Sequence, residues 1–274
     1  MIGVYYPYLA GANAWEELRY SLRSLEKFFS VERRDGFQTR LYDFEVWIVG
    51  DLPDWIQNVK HIPHKREDRV YSASTYDAVM KLGSYLDHPD TPERFIRMYV
   101  DIYFVGERCL NDLEKTRYLF TYDEYKNHKI KSGSGVWREQ VNKTLDALKE
   151  LGFAGYMTET HCPEVFEKWK MLEIFDMFAP AENRLLTSSL YYNVFPFFRM
   201  LKDRKTERAL FYGEETDFAM GRMGDGAHGR RGDVAQNIAP PQGKYFLNHN
   251  DAGLDDGLKK YIMGMFPEKS RFEK

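Results

Sequence analysis

The stretch Phe95-Ile-Arg-Met-Tyr-Val-Asp101-Ile-Tyr-Phe-Val105 sets one carboxylate inside an aromatic and β-branched run. Ile96, Met98, Val100, Ile102 and Phe104 alternate with Arg97, Tyr99, Asp101 and Tyr103. That period of two predicts a strand. Burying a bare carboxylate in such a strand is unfavourable, so Asp101 calls for a metal, a cation or an opening at the strand end. The alternative is a structural Asp at a strand end, hydrogen-bonded to backbone amides.

Working outward, Ser74 to about Leu86 reads as a helix carrying Tyr76, Val79, Met80 and Tyr85, and Asn58 to Pro63 as a short strand before it. Lys81 lies on that helix. Two parallel strands joined by a helix is the economical topology. Towards the start, Ile2 to Tyr8 is a first strand, and Asn13 with Glu16 a loose capping box. The helix that follows has Trp15, Leu18, Leu22, Leu25 and Phe29 on one stripe, and Phe44-Glu-Val-Trp-Ile-Val-Gly50 is the next strand. The turn Asp51-Leu-Pro-Asp54 stands at that strand's carboxyl end, where ligands of an α/β sheet bind and where Gly50, Asp51 and Asp101 would gather. Neither GxGxxG nor GxxxxGK[ST] is present, so neither the dinucleotide fingerprint nor the P-loop is supported.

Further along, Tyr118 to Tyr122 reads as a strand, and Lys131-Ser-Gly-Ser-Gly135 as a flexible break before a helix with Val141, Leu145, Leu148 and Leu151. In Tyr156-Met-Thr-Glu-Thr-His161-Cys-Pro163, the proline suits the first turn of a helix with the stripe Val165, Trp169, Leu172, Phe175 and Phe178. His161 then precedes a helix N-terminus that suits an anion or phosphate, unless His161 or Thr160 merely caps it. Ala181 to Lys202 reads as helical, and Asn193 in Leu190-Tyr-Tyr-Asn193-Val-Phe195 needs hydrogen-bond partners from protein or ligand. Gly221 to Gly243, with Arg222, Arg230 and Arg231, is either a lid over a diphosphate or an inert solvated loop. After Lys244-Tyr-Phe-Leu-Asn248-His-Asn250-Asp251 comes a helix through Leu254, Leu258, Tyr261, Ile262 and Met265.

The expected fold is α/β, with a mostly parallel central sheet and flanking helices in one domain over 1–274, the part from about 155 onward mostly helical and completing the site. With 39 Lys plus Arg against 42 Asp plus Glu, the formal charge is −3 and no block of like charges forms an arm for nucleic acid. Cys109 and Cys162 form no CxxC pair and no disulfide framework, which fits a reducing compartment, the cytoplasm by default. No signal peptide and no transmembrane segment is legible, so the chain reads as soluble. Aromatic residues make up 16% of it, suited to filling a core and also to stacking on sugars.

Several of these stretches together resemble the bacterial Stealth-type capsule transferases and their smaller glycosyltransferase-like relatives. They are Glu17-Leu-Arg-Tyr-Ser-Leu-Arg-Ser-Leu-Glu-Lys27, Val46-Trp-Ile-Val-Gly-Asp-Leu-Pro-Asp-Trp55, the Asp101 strand, Glu159-Thr-His161-Cys-Pro163, Leu190-Tyr-Tyr-Asn193, Asn250-Asp251 and the closing FPEKSRFE. The resemblance implies a nucleotide-diphospho-sugar transferase (GT-A-like) fold, a nucleotide-sugar donor and a glycan acceptor. It also implies transfer of a sugar, or of a sugar 1-phosphate in capsule or surface polysaccharide synthesis. Similar relatives read Asn-Asp-Asp where this chain has Tyr99-Val100-Asp101, so one of two acidic groups is Val100 here. Asp101 alone carries over, as the ligand of Mg²⁺ or Mn²⁺ and the donor contact. Lys81 or Arg69 would meet phosphate charge, and His161 would act as general base or phosphate contact. Asp51, Asn193, Asn250 and Asp251 complete the implied donor site. Two other readings stay open: a solvated helix face for Lys81, and a non-catalytic protein that binds a glycan or partner with a degraded metal site.

Overall fold

The structure is a computed structural model that describes residues 1–11, 15–30, 32–35, 38–41, 43–66, 73–127, 135–196, 200–202, 209–212, 245–249 and 254–274. Asn13, Arg69, Asn250, Asp251 and the loop from Gly221 to Gly243 lie outside the described residues.

Strand β1 (Ile2–Tyr8) is at the centre. Its alternating side chains divide the core in two. Ile2, Val4 and Tyr6 pack with Leu18, Leu22 and Leu25 of helix α1 (Glu17–Phe28), while Tyr5 packs with Leu82, Tyr85 and Leu86 of helix α2 (Ala73–Asp87). Strand β2 (Phe44–Gly50) divides the same way, Val46 and Ile48 to one side and Trp47 and Val49 to the other. Each Leu on the buried stripe of α1 contributes roughly 1.5–3 kcal/mol relative to an exposed one.

Among the described residues the central sheet has five strands. From β1 the chain runs through α1 to β2 and then β3 (Lys60–Pro63), all parallel on one side; α2 carries it back to the other side of β1, where β4 (Arg94–Arg97) pairs in parallel. An antiparallel strand, β5 (Glu164–Glu167), closes that edge beside β4. The sheet is therefore mostly parallel, with helices on both faces. Its strand order reverses between β1 and β4, which opens a crevice at their carboxyl ends.

Several sequence expectations need correction. The run Phe95–Val105 is not one strand: the chain leaves β4 after Arg97, turns at Val100 and Asp101 with Ile102 N donating to Tyr99 O at 3.2 Å, and resumes as the strand Ile102–Phe104. That second strand pairs antiparallel with Phe246–His249, a strand not anticipated from the sequence. It is held on α1 by buried serines, Ser21 Oγ donating to Ile102 O at 2.7 Å and Phe104 N donating to Ser24 Oγ at 3.0 Å. The turn keeps the Asp101 carboxylate off the sheet interior, where the alternating pattern alone would have put it.

Pro163 starts no helix, because the next residues pair with β4; the helix begins at Lys168 and runs to Phe178, leaving Trp169 exposed. Tyr118 to Tyr122 divides into two short strands, Arg117–Tyr118 and Phe120–Thr121. Among the described residues from Ala181 to Lys202 there are only short helices, Pro180–Asn183 and α3 (Thr187–Val194), before the strand Leu201–Lys202. Leu151 lies just past the helix Gly135–Glu150 and is exposed. The expected helix through Leu258 and Ile262 spans Asp256–Met265, with both residues buried.

The segment 266–274 clamps α1 to the loop after β2. Arg23 donates to both carboxylate oxygens of the buried Glu273, at 2.7 and 2.8 Å, and Gln57 Nε2 donates to Glu273 O at 2.6 Å. Among the described residues no helix is long and apolar enough to cross a membrane.

Candidate functional site

Register alone brings three polar side chains together at the reversal point. Arg97 of β4 is the partner of Tyr5 in β1 and of Glu164 in β5. All three line one cavity on the α2 side of the sheet, of about 260 Å³. Thr75, Ala78, Val79 and Leu82 of α2 form one wall, Leu185 to Thr187 before and at the start of α3 another, and Pro7, Tyr99, Trp137, Glu159 and His161 complete the lining.

Arg97 is buried, which several partners make tolerable. Its Nη2 donates to Glu164 and to Ser188 Oγ, its Nη1 donates to Thr187 Oγ1 at 3.0 Å, and Glu159 Oε2 stands 3.7 Å from it. Ser188 and Thr187 are supplied by the first turn of α3. Glu159 accepts from Ser189 N at 3.1 Å and Ser189 Oγ at 3.3 Å. Burial raises the Glu159 carboxyl above the ordinary glutamate range; Arg97 works against that, and Glu164 adds to it. Tyr5 Oη, Arg97 Nε and Trp137 Nε1 are buried at this cavity with no hydrogen-bond partner among the described residues.

His161 Nε2 and Asp101 Oδ2 are 2.9 Å apart. For Asp101, burial pushes the carboxyl up, but the charge and hydrogen bond of His161 outweigh it and hold the carboxyl below the ordinary range. For His161, burial pushes the imidazole down, and Asp101 more than reverses that, so the imidazole stands above the ordinary histidine range. Three features fix the histidine. Its ring stacks on Tyr99 with centroids 5.3 Å apart, Asn248 Nδ2 donates to its carbonyl at 2.7 Å, and its φ is +47°. A non-glycine residue in that left-handed region stores about 1–3 kcal/mol and persists where surrounding contacts over-determine it.

Asp51 lies at the carboxyl end of β2, its Oδ2 accepting from Ala10 N at 2.7 Å. Burial and the nearby Asp51 and Glu17 carboxylates raise the Tyr8 hydroxyl, so these three groups share the end of β1. Lys81 is not on a solvated helix face. It is 2% exposed and donates to Asp77 at 2.6 Å under Gly50, whose φ is +124° and whose Cβ, if present, would stand 2.9 Å from Lys81 Cε. Asn193 faces protein: it accepts from Tyr156 N at 2.9 Å and donates to Tyr156 O and Ser189 O, both at 2.7 Å. Of the residues singled out from the sequence, Asp101 and His161 are thus joined directly. No hydrogen bond or ion pair links Asp51 or Lys81 to them among the described residues. His161 lies ahead of β5, not at a helix N-terminus.

Sequence reasoning did not single out Arg97, Glu159, Glu164, Trp137 or Asn248. The available signal was the alternation in the opening stretch, which put Arg97 on a buried strand face where a guanidinium requires carboxylates nearby.

A divalent cation at Asp101 needs a shell of oxygen donors. Oδ2 of Asp101 is taken by His161, Val100 packs its apolar side chain against the core, and His249 Nε2 pairs with Tyr103 Oη at 3.0 Å. Among the described residues no group of three or more His, Cys, Asp or Glu gathers to hold a metal. Among the described residues these donors do not make a shell for Mg²⁺ or Mn²⁺.

No protein-family model matches the sequence, and no curated protein matches it. The solved structures similar to it include the galactosyltransferase LgtC in complex with donor and acceptor sugar analogues, and an active-site mutant of LgtC. Each is 10% identical over 98% of both chains, with TM-scores of 0.48 and 0.46 respectively.

Proposed function

We propose that the chain is a nucleotide-sugar-dependent, glycosyltransferase-like enzyme that transfers a sugar to a glycan hydroxyl. The observation that carries this reading is the cavity at the carboxyl ends of β1 and β4, where the strand order reverses and His161, the partner of Asp101, is part of the lining. It combines what a sugar ring and its leaving diphosphate require. Tyr5, Tyr99 and Trp137 line it with aromatic side chains, and Arg97, Glu159 and Glu164 line it with fixed polar groups. The resemblance to the capsule transferases supports the same substrate class.

Transfer requires that the departing diphosphate be neutralised and the acceptor's proton removed. His161, whose imidazole Asp101 raises above the ordinary range, suits the first task better than the second. Glu159 suits the second, since a carboxylate with a raised pKa is a stronger base. The new glycosidic bond forms from the acceptor oxygen as the bond to the diphosphate breaks, and the hydroxyl proton passes to Glu159.

The test is to incubate the protein with a panel of nucleotide sugars and glycan acceptors and to identify the released nucleotide by chromatography. A nucleoside diphosphate is expected. A monophosphate would replace glycosyl transfer by sugar-phosphate transfer, and no turnover together with no donor binding would sink the enzyme reading.

A further inference from the structure

The Asp101 carboxylate already has a partner within the protein, His161 at Oδ2. Its partner His161 is stacked on Tyr99, tied through its carbonyl to Asn248, and set on a left-handed backbone, so the group facing Oδ2 is held in place. The neighbouring candidates are committed too. Glu159 faces Ser189 and Arg97, Glu164 accepts from Arg97 and Ser188, and His249 pairs with Tyr103. Val100, beside Asp101, has no donor atom and packs on the core.

We infer that this chain binds its nucleoside diphosphate donor without a divalent cation, with the Asp101–His161 pair serving as a fixed part of the site in place of a metal–carboxylate centre. The inference rests on the donor-site reading above and departs from the Mg²⁺ or Mn²⁺ that the family resemblance implies. Charge on the diphosphate is then met by protein groups, as metal-free sites for phosphate do with fixed cations and backbone amides.

Calorimetry with uridine, guanosine, cytidine and adenosine diphosphates, each in EDTA and in Mn²⁺, tests it. The dissociation constant of whichever nucleotide binds is expected to differ by less than about twofold between the two conditions, a change of under half a kcal/mol. A tightening of about tenfold or more by Mn²⁺, removed by Asp101→Asn, would overturn the inference and leave the donor-site reading intact. Binding of none of the four in either buffer would overturn both. Because Asp101→Asn can disturb folding, a second measurement needs no variant: the electron paramagnetic resonance of free Mn²⁺ should be undiminished by the wild-type protein with the bound nucleotide, after correction for Mn²⁺ held by nucleotide alone. Stoichiometric loss of that signal contradicts the inference.

Discussion

Arg97 joins the sheet to the cavity, and its replacement tests how that corner is held. Arg97→Met would leave Glu164 and Glu159 buried without their cation. The expected loss is about 3–5 kcal/mol in urea unfolding, the range for breaking a buried ion pair from one side. Arg97→Lys should recover only part of it, because a single ammonium cannot reach Glu164, Ser188 and Thr187 together. The Asp101–His161 pair gives a pH signature. The imidazole is raised in the folded state, so its contribution is complete below its unfolded pKa and is lost as pH rises through the folded one; the carboxyl is lowered, so its contribution is present above its unfolded pKa and fades as pH falls through the folded one. The pair is therefore stabilising from mildly acidic to neutral pH. Thermal melts of wild type and His161→Gln should differ most between the unfolded pKa values of the two groups, about pH 4 to 6.5, and converge as pH rises beyond that window; a constant difference would argue against a charge interaction in the pair.

At the scale of elements, the carboxyl end of β2 depends on a glycine. A Cβ at Gly50 would stand 1.9 Å from Tyr8 O, on a backbone whose φ of +124° L residues rarely adopt. Gly50→Ala should cost more than about 2 kcal/mol, checked by denaturant unfolding, and should weaken ligand binding at this end of the sheet beyond the loss in stability. The clamp from Glu273 to Arg23 is a second such point, and Glu273→Gln is expected to lower stability by about 2–4 kcal/mol in the same measurement. The central strands and their helices were legible because period-two and three-four patterns of burial are local. What was not legible came from pairing between distant segments. The alternation of Phe95–Val105 continues through the turn at Val100 and Asp101, so nothing in it marks where the chain leaves one sheet for another. Likewise Val165 and Phe166 fit a helical stripe as well as a strand, and the edge of β4 decides in favour of the strand.

For the whole molecule, the order of strands makes the site. The two crossovers around β1 put α1 and α2 on opposite faces and open the carboxyl ends of β1 and β4, which brings Tyr5, Arg97 and Glu164 into one row under a cavity. The sequence pointed to that end of the sheet through Gly50, Asp51 and Asp101. It could not reveal the cavity, since the walls come from α2, α3 and the helix carrying Trp137, brought together only by folding. The most direct test fills that cavity. Ala78 lines it from α2, and Ala78→Phe should occupy much of the space a sugar would take. In calorimetry, wild type should bind a nucleotide sugar more tightly than the matching nucleoside diphosphate. Ala78→Phe should abolish that advantage, worth about 1–3 kcal/mol, while leaving the diphosphate's own affinity within about twofold. A variant that folds and still binds the nucleotide sugar as tightly as wild type would contradict the claim that this cavity receives the donor's sugar.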